Sequence, residues 1–525
     1  MFHNDISQTE SNIKLKANLS VTLGELKNSG YKAVSIKDEI RKNLINKLQN
    51  KEEIFPGIIG YEKTVLPAIQ NAILARHDII FLGLRGQGKT KIARMLINML
   101  DEYIPIIKGS EINDNPFHPV SKFAVDAVTE KGDDTEIEWI ERDRRYGEKL
   151  ATPDVTIADL IGDIDPIKAA TQRLHYSHEG AIHFGIIPRT NRGIFVINEL
   201  PDLQPRIQVG LLNIMQERDI QIRGFNIRFP LDVFIVFTAN PEDYTNRGNI
   251  ITPLKDRIDS QILTHYPKSV EDGIKITESQ SWINRHIGKE IVIPYYMKEI
   301  IETLAHEARK SEFVEQKSGV SARLTISAME NLISNAERRS LINGEKIIFP
   351  RITDLNSVLP GMTGKIELVF EGEQEGPVKV SKSLIGKSVR EIFKKYFPDP
   401  LKKRAKRDEA AVNDDIYSEI IKWFEGGNYL ELTDDMSFND YFVQLKRVNG
   451  LEKAVKKYVK TIENDYELAT MMEFVLDGLH NNSKIAKDEL EEGVSYKDMV
   501  GSMLFNKATK KSSRSSYDYE EDWNY

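Results

Sequence analysis

Three short stretches of this chain carry residue types that can do chemistry together. The first is Gly83-Leu84-Arg85-Gly86-Gln87-Gly88-Lys89-Thr90, which fits the pattern Gly-x4-Gly-Lys-Thr in full. Gly83, Gly86 and Gly88 let consecutive backbone N–H groups turn inward around phosphate oxygens, with Arg85 and Gln87 between them. Lys89 supplies a point charge for β- and γ-phosphates, and Thr90 offers its hydroxyl to Mg²⁺. The second stretch is Asn198-Glu199, placed after an apolar run. Glu199 can polarise an attacking water. Asn198 stands where a metal-orienting carboxylate is usual; its amide still accepts from a metal-bound water, without adding negative charge. The third is Thr238-Ala239-Asn240-Pro241, whose Asn240 amide can hold or sense a γ-phosphate and the attacking water. Each has a plainer reading, a glycine-rich turn or a capped strand end, and their shared context decides against it.

That context is a set of buried strands. Ile79–Leu82 is an apolar run just before the glycines, and a helical pattern over Lys91–Leu100 follows them. Strand, glycine loop and helix open a mononucleotide-binding α/β unit. Gly193–Ile197 and Val233–Phe237 are β-branched or aromatic runs ending in polar residues, as strands of a buried parallel sheet do. Between them the spacing predicts a helix over Ile207–Gln216 and a β-hairpin from Ile220 to Phe229 around Gly224. Helical patterns also cover Ile36–Asn50, Glu62–Arg76, Tyr296–Lys310, Thr325–Leu341, Ile416–Phe424 and Leu451–Asn464.

At 525 residues the chain exceeds one hydrophobic core. Its 40% hydrophobic and 29% charged content is that of a soluble globular protein. A net charge of −8 argues against a nucleic-acid coat. The absence of cysteine removes disulfides and thiolate metal sites. No apolar run approaches the roughly 20 residues that span a bilayer, and no secretory segment opens Met1–Leu19. A cytoplasmic location is expected.

The three motifs, in this order, resemble those of the AAA+ ATPases. The hairpin placed before the Asn240 strand is similar to that of the helix-2-insert clade, and within it to the magnesium chelatase ATPase subunit and MoxR-type ATPases. Phe184–Leu200, running through Asn191-Arg192-Gly193 into Asn198-Glu199, carries the resemblance most specifically, and Pro153–Gly162 adds to it. It covers about 56–360. It implies an α/β P-loop core at 56–270 and a helical lid at 271–360, preceded by an N-terminal extension (1–55). A mainly helical C-terminal domain (361–506) and a disordered tail (507–525) complete the expected plan. It further implies that Arg257 is an arginine finger reaching a neighbour's γ-phosphate and that Arg323 is a lid arginine contacting nucleotide. The cofactors are then ATP and Mg²⁺, and the assembly a homo-oligomeric ring, expected as a hexamer. A partner with a von Willebrand A domain and a client protein complete the picture. The neutral Asn198 departs from the family pattern and points to slow or partner-dependent hydrolysis.

Other signals fit weaker roles. His175, His178 and His183 match no standard zinc spacing and read as loop or hairpin residues. The basic run Lys402–Arg407 reads as a solvated loop, so neither nucleic acid nor a membrane is an expected partner. Trp423 and Phe424 close an apolar helix pattern and read as core. The competing functions are a client-remodelling or metallating motor, a magnesium chelatase subunit acting on a porphyrin, a non-hydrolysing ATP-gated scaffold, and an AAA+ transcription activator.

Overall fold

The computed structural model describes residues 20–171, 179–222, 228–241, 249–285, 288–401 and 416–499. These divide between Tyr266 and Pro267 into two compact units.

The first unit is built on a five-stranded sheet. Its members are β1 (Ile79–Leu82), β4 (Tyr146–Leu150), β7 (Gly193–Asn198), β10 (Val233–Ala239) and β11 (Ser260–Leu263), in the order β11-β1-β10-β7-β4. Every neighbouring pair is parallel; outside this sheet β2 (Tyr103–Ile107) pairs with β3 (Ile137–Glu141) and β5 (Gly162–Ile164) with β6 (Ile182–Phe184), both antiparallel. β1, β7 and β10 are buried along their whole length, because helices cover both faces. The period of two in the strands divides their side chains between two cores. Ile79, Phe81, Ile194, Val196, Phe234 and Val236 face one cluster. Ile80, Leu82, Phe195, Ile197, Ile235 and Phe237 face the other. β4 carries the polar sequence Tyr-Gly-Glu-Lys-Leu and gave no strand signal; it is an edge strand, paired among the described residues to β7 alone.

Helices α1 (Leu23–Asn28), α2 (Ile36–Gln49), α3 (Val65–Leu74) and α4 (Lys89–Met95) belong to this unit. Residues 20–55 are folded onto it: Ile36, Ile40 and Leu44 of α2 share a core with β1 and β10. A buried ion pair fastens α2 further. Arg145 donates from Nη1 to Glu39 Oε1 at 2.8 Å and from Nη2 to Oε2 at 2.6 Å. Arg145 Nε also donates to the Arg192 carbonyl at 2.8 Å, just ahead of β7. The helix α5 (Pro205–Glu217) precedes the antiparallel pair β8 (Asp219–Gln221) and β9 (Arg228–Pro230), so the hairpin is present at both ends. Its centre, residues 223–227, lies outside the described residues. A short helix, α6 (Thr252–Arg257), leads into β11.

The second unit contains α7 (Val270–Gln280), α8 (Tyr295–Lys310), α9 (Arg323–Ile342), α10 (Pro377–Tyr396) and α11 (Asp465–Asn481), among other elements. The helices before Gly361 and the elements after it share one hydrophobic core, with Leu304, Leu332, Leu384 and Phe474 all in it. Phe424 is buried in this core and Trp423 packs against it. The region after 361 is not helical throughout: Leu430–Thr433, Ala486–Leu490 and Gly493–Lys497 form an antiparallel three-stranded sheet. A second buried pair, Arg339 with Asp354, ties α9 to the segment that follows it. The basic run 402–407 and the tail 507–525 lie outside the described residues.

Candidate functional site

The glycine loop starts where β1 ends, with the Gly83 N–H bonded to the Ala239 carbonyl at 3.2 Å. Gly86 (φ 74°) and Gly88 (φ 75°) are in the left-handed region that only glycine enters freely. Gly83 is needed for a different reason. A Cβ there would lie 1.8 Å from Thr264 Oγ1 and 2.2 Å from Gln87 Oε1.

Three side chains outside the motif brace this loop. Tyr61 points its hydroxyl at the Gln87 carbonyl (2.9 Å) and at the His265 carbonyl (2.7 Å), sharing one proton between them. Thr264 Oγ1 donates to Gln87 Oε1 at 2.7 Å, and Tyr266 donates to the Arg85 carbonyl at 2.9 Å. Burial pushes the Tyr61 phenol up to about 12, so it remains a donor at any physiological pH. Gln87 is therefore a bracing residue, buried and committed to Thr264. Nothing in the local sequence marks Tyr61, Thr264 or Tyr266 for this task, because the sheet brings β11 beside β1 from far along the chain. Lys89 is buried, its ammonium folded onto the carbonyls of Gly83 and Leu84.

The second and third motifs arrive at the same sheet edge. Leu82 lies opposite Ala239, and Ile197 opposite Phe237, so Asn198 closes β7 while Gly83, Glu199 and Asn240 follow the strands' C-terminal ends. In an open parallel sheet this is where ligands bind. Thr90 Oγ1 donates to Asn198 Oδ1 at 3.4 Å, and Thr238 Oγ1 donates to the same oxygen at 3.1 Å. Asn198 Nδ2 donates to Glu148 Oε1 at 2.7 Å. Glu148 accepts in turn from Arg94 Nε at 2.8 Å, from Arg94 Nη2 at 2.9 Å and from the Tyr146 hydroxyl at 3.1 Å. The hydrogen bonds from Arg94 hold the Glu148 carboxyl below its ordinary value and keep it ionised. Glu199 takes a left-handed backbone (φ 55°), unusual for a residue with a side chain, and its N–H donates to Thr238 Oγ1 at 3.1 Å. Asn240 is buried, 3% exposed. The oxygens of Thr90 and Asn198, with Glu199 next in the chain, are hard donors of the kind Mg²⁺ takes, so the residues fit that ion.

The Asn191-Arg192-Gly193 run is structural. Arg192 has φ 58° and donates from Nη1 to the Pro105 carbonyl at 2.7 Å. A Cβ at Gly193 would lie 2.0 Å from the Arg145 carbonyl. Asn191 Oδ1 accepts from the Asp232 N–H at 2.9 Å, at the start of β10.

Arg257 stands apart from this constellation. Arg257, in the last turn of α6, bonds to Gln216 Oε1 at 2.9 and 3.0 Å and to the Pro253 carbonyl, and to no loop residue. Arg323 is exposed at the first position of α9, in the second unit. His183 is exposed and lies 3.4 Å from Arg189 Nη2; His175 and His178 lie outside the described residues.

The glycine loop, the parallel order β11-β1-β10-β7-β4 and the polar residues at its C-terminal edge decide the fold class. The first unit has the α/β architecture of a P-loop nucleotide-binding core. No protein-family model matches the chain, and no curated protein matches it. Among solved structures, NtrX from Brucella abortus in complex with ATP is 14% identical, covering 55% of this chain and 52% of that one, at a TM-score of 0.33. A model of the BchI–BchD complex of magnesium chelatase is 18% identical over 61% of this chain and 98% of that one, at 0.33. Hsp104 with ATPγS and casein is 12% identical over 64% and 52%, at 0.37. The chain spans about half the length of the NtrX and Hsp104 chains it matches. Such remote likenesses say nothing about mechanism. Among the described residues no helix is long and apolar enough to cross a membrane.

Proposed function

We propose that this chain is an ATP-binding and ATP-hydrolysing AAA+ motor of the MoxR/magnesium-chelatase type. It would work in the cytoplasm as a homo-oligomeric ring, remodelling or metallating a client protein alongside a von Willebrand A-domain partner. The observation that carries the reading is the braced glycine loop beside Asn198, Glu199 and Asn240 at one sheet edge. In it the loop N–H groups and Lys89 bind the phosphates, drawing the ammonium from the carbonyls it now rests on. Thr90 and Asn198 present oxygens to Mg²⁺, which when bound offsets the phosphate charge. Glu199 accepts a proton from the attacking water, and Asn240 orients that water or the γ-phosphate. Arg257 and Arg323 would complete the site, Arg257 from a neighbouring subunit.

Equilibrium binding of a fluorescent ATP analogue, with sedimentation velocity in its presence, tests this. Binding lost in Lys89→Ala, with larger assemblies forming on ATP addition, supports it. A chain that binds no nucleotide with or without Mg²⁺ overturns it. The neutral amide of Asn198 favours one second reading, an ATP-gated scaffold that binds without turnover, and steady-state hydrolysis separates the two.

A further inference from the structure

The negative charge that position 198 lacks stands one strand away. Leu150 of β4 lies opposite Asn198 of β7, so Glu148, two residues earlier on β4, points from the same face. Its carboxylate takes the Asn198 Nδ2 hydrogen bond at 2.7 Å. That contact decides which way the amide faces. With the amide reversed, its oxygen would meet the carboxylate at the same distance, acceptor against acceptor. The carboxylate therefore turns Asn198 Oδ1 toward Thr90 and Thr238, whose hydroxyls donate to it. Giving its proton to Asn198 leaves the Thr90 hydroxyl's lone pairs available for a cation.

Glu148 is itself fixed. Arg94 grips it with two hydrogen bonds from α4, the helix that begins Lys89-Thr90. Thr90 and Arg94 are four residues apart and so share one helix face. Arg94, Glu148, Asn198 and Thr90 form a closed circuit from the helix across two strands and back.

We propose that Glu148 is a positioning residue for the metal-bearing side of the site: it orients and polarises Asn198 and supplies from β4 the charge that a carboxylate at position 198 would supply directly. This rests on the nucleotide-binding reading above. The charge is relocated, so it can be moved back. Asn198→Asp/Glu148→Gln keeps a hydrogen-bonded carboxylate–amide pair between the strands with the charge on β7. Asn198→Asp alone sets two carboxylates against each other.

The test is the affinity of a fluorescent ATP analogue, titrated with Mg²⁺ and again in EDTA, for the full chain and three variants. Replacing a charge-assisted by a neutral hydrogen bond predicts that Glu148→Gln raises the half-saturating Mg²⁺ concentration about five- to tenfold. Its metal-free affinity and its melting temperature should match the parent's. Asn198→Asp alone should bind Mg²⁺–nucleotide more weakly than the double variant, which should return to within about twofold of the parent. An unchanged Mg²⁺ requirement in Glu148→Gln overturns the proposal, as does an equal loss in EDTA or a double variant no better than Glu148→Gln. In each of those cases the parent still binds nucleotide, so the functional reading survives; a parent that binds none sinks both.

Discussion

The Glu39–Arg145 pair gives the sharpest prediction about how the site is held. The Arg145 side chain is 0% exposed and that of Glu39 4%, and two hydrogen bonds join them. Glu39→Ala leaves a buried guanidinium with its Nε bond to the Arg192 carbonyl, and removes the acceptor of the Asp101 N–H at 2.6 Å. Breaking such a pair from one side costs about 3–5 kcal/mol, a large share of the roughly 5–15 kcal/mol that holds a domain folded. Replacing both partners with apolar residues of similar volume, Glu39→Leu/Arg145→Met, removes the unpaired charge and should recover more than half of the loss. The assay is urea unfolding followed by fluorescence. Trp282, Trp423 and Trp523 are first changed to Phe, leaving Trp139, which lies in the first unit and packs edge-on to Tyr31 at 5.8 Å. Because Arg145 abuts β4 and braces the entry to β7, the single variant should also weaken nucleotide binding. A loss below about 1 kcal/mol, or a double variant as unstable as Glu39→Ala, would refute the reasoning.

Further outcomes follow from other features. Gly83→Ala puts a methyl within 2.2 Å of Thr264 Oγ1 and Gln87 Oε1; it should cost about 1–3 kcal/mol and abolish nucleotide binding, seen by melting and by titration. Arg257→Ala should leave ATP affinity intact while turnover falls on the order of 10³-fold. Mixing that variant with Glu199→Gln subunits should restore part of the turnover if sites are shared between subunits, and none if each subunit is self-sufficient. His306 is held below its ordinary value of 6.5, chiefly by burial and then by Arg309 and Lys310, and its Nε2 has no hydrogen-bond partner among the described residues. The unfolded chain thus binds a proton there that the folded one refuses. The contribution of this group to the second unit's stability should be fully present above about pH 6.5 and be lost as pH falls through the lower folded value, and His306→Gln should flatten that slope in urea midpoints.

The fold was readable where its signal is local. β1, the glycine loop and α4 follow one another along the chain, and β7 and β10 are apolar enough to announce themselves. β4 escaped because an edge strand of Tyr-Gly-Glu-Lys-Leu carries no run or alternation, and Glu148 escaped with it. The bracing of the loop by Tyr61, Thr264 and Tyr266 was equally hidden, since it exists only once parallel pairing sets β11 against β1. The Asn191-Arg192-Gly193 run was legible as a resemblance, but its reason, a left-handed Arg192 and a glycine against the Arg145 carbonyl, is visible only in the fold. The strands after Leu430 are short, in part polar, and closed by long-range pairing, which left that region looking helical. Asn198 was recognised as neutral from the sequence; the carboxylate behind it was not.

Mg²⁺-dependent ATP hydrolysis by the purified chain, at concentrations that permit assembly, tests the central claim most directly, with Lys89→Ala and Glu199→Gln measured beside it. The account predicts turnover in the parent and none in either variant, with Glu199→Gln still binding ATP. Tight ATP binding by the parent with no turnover above Lys89→Ala would contradict the motor, and leave a nucleotide-gated scaffold in its place.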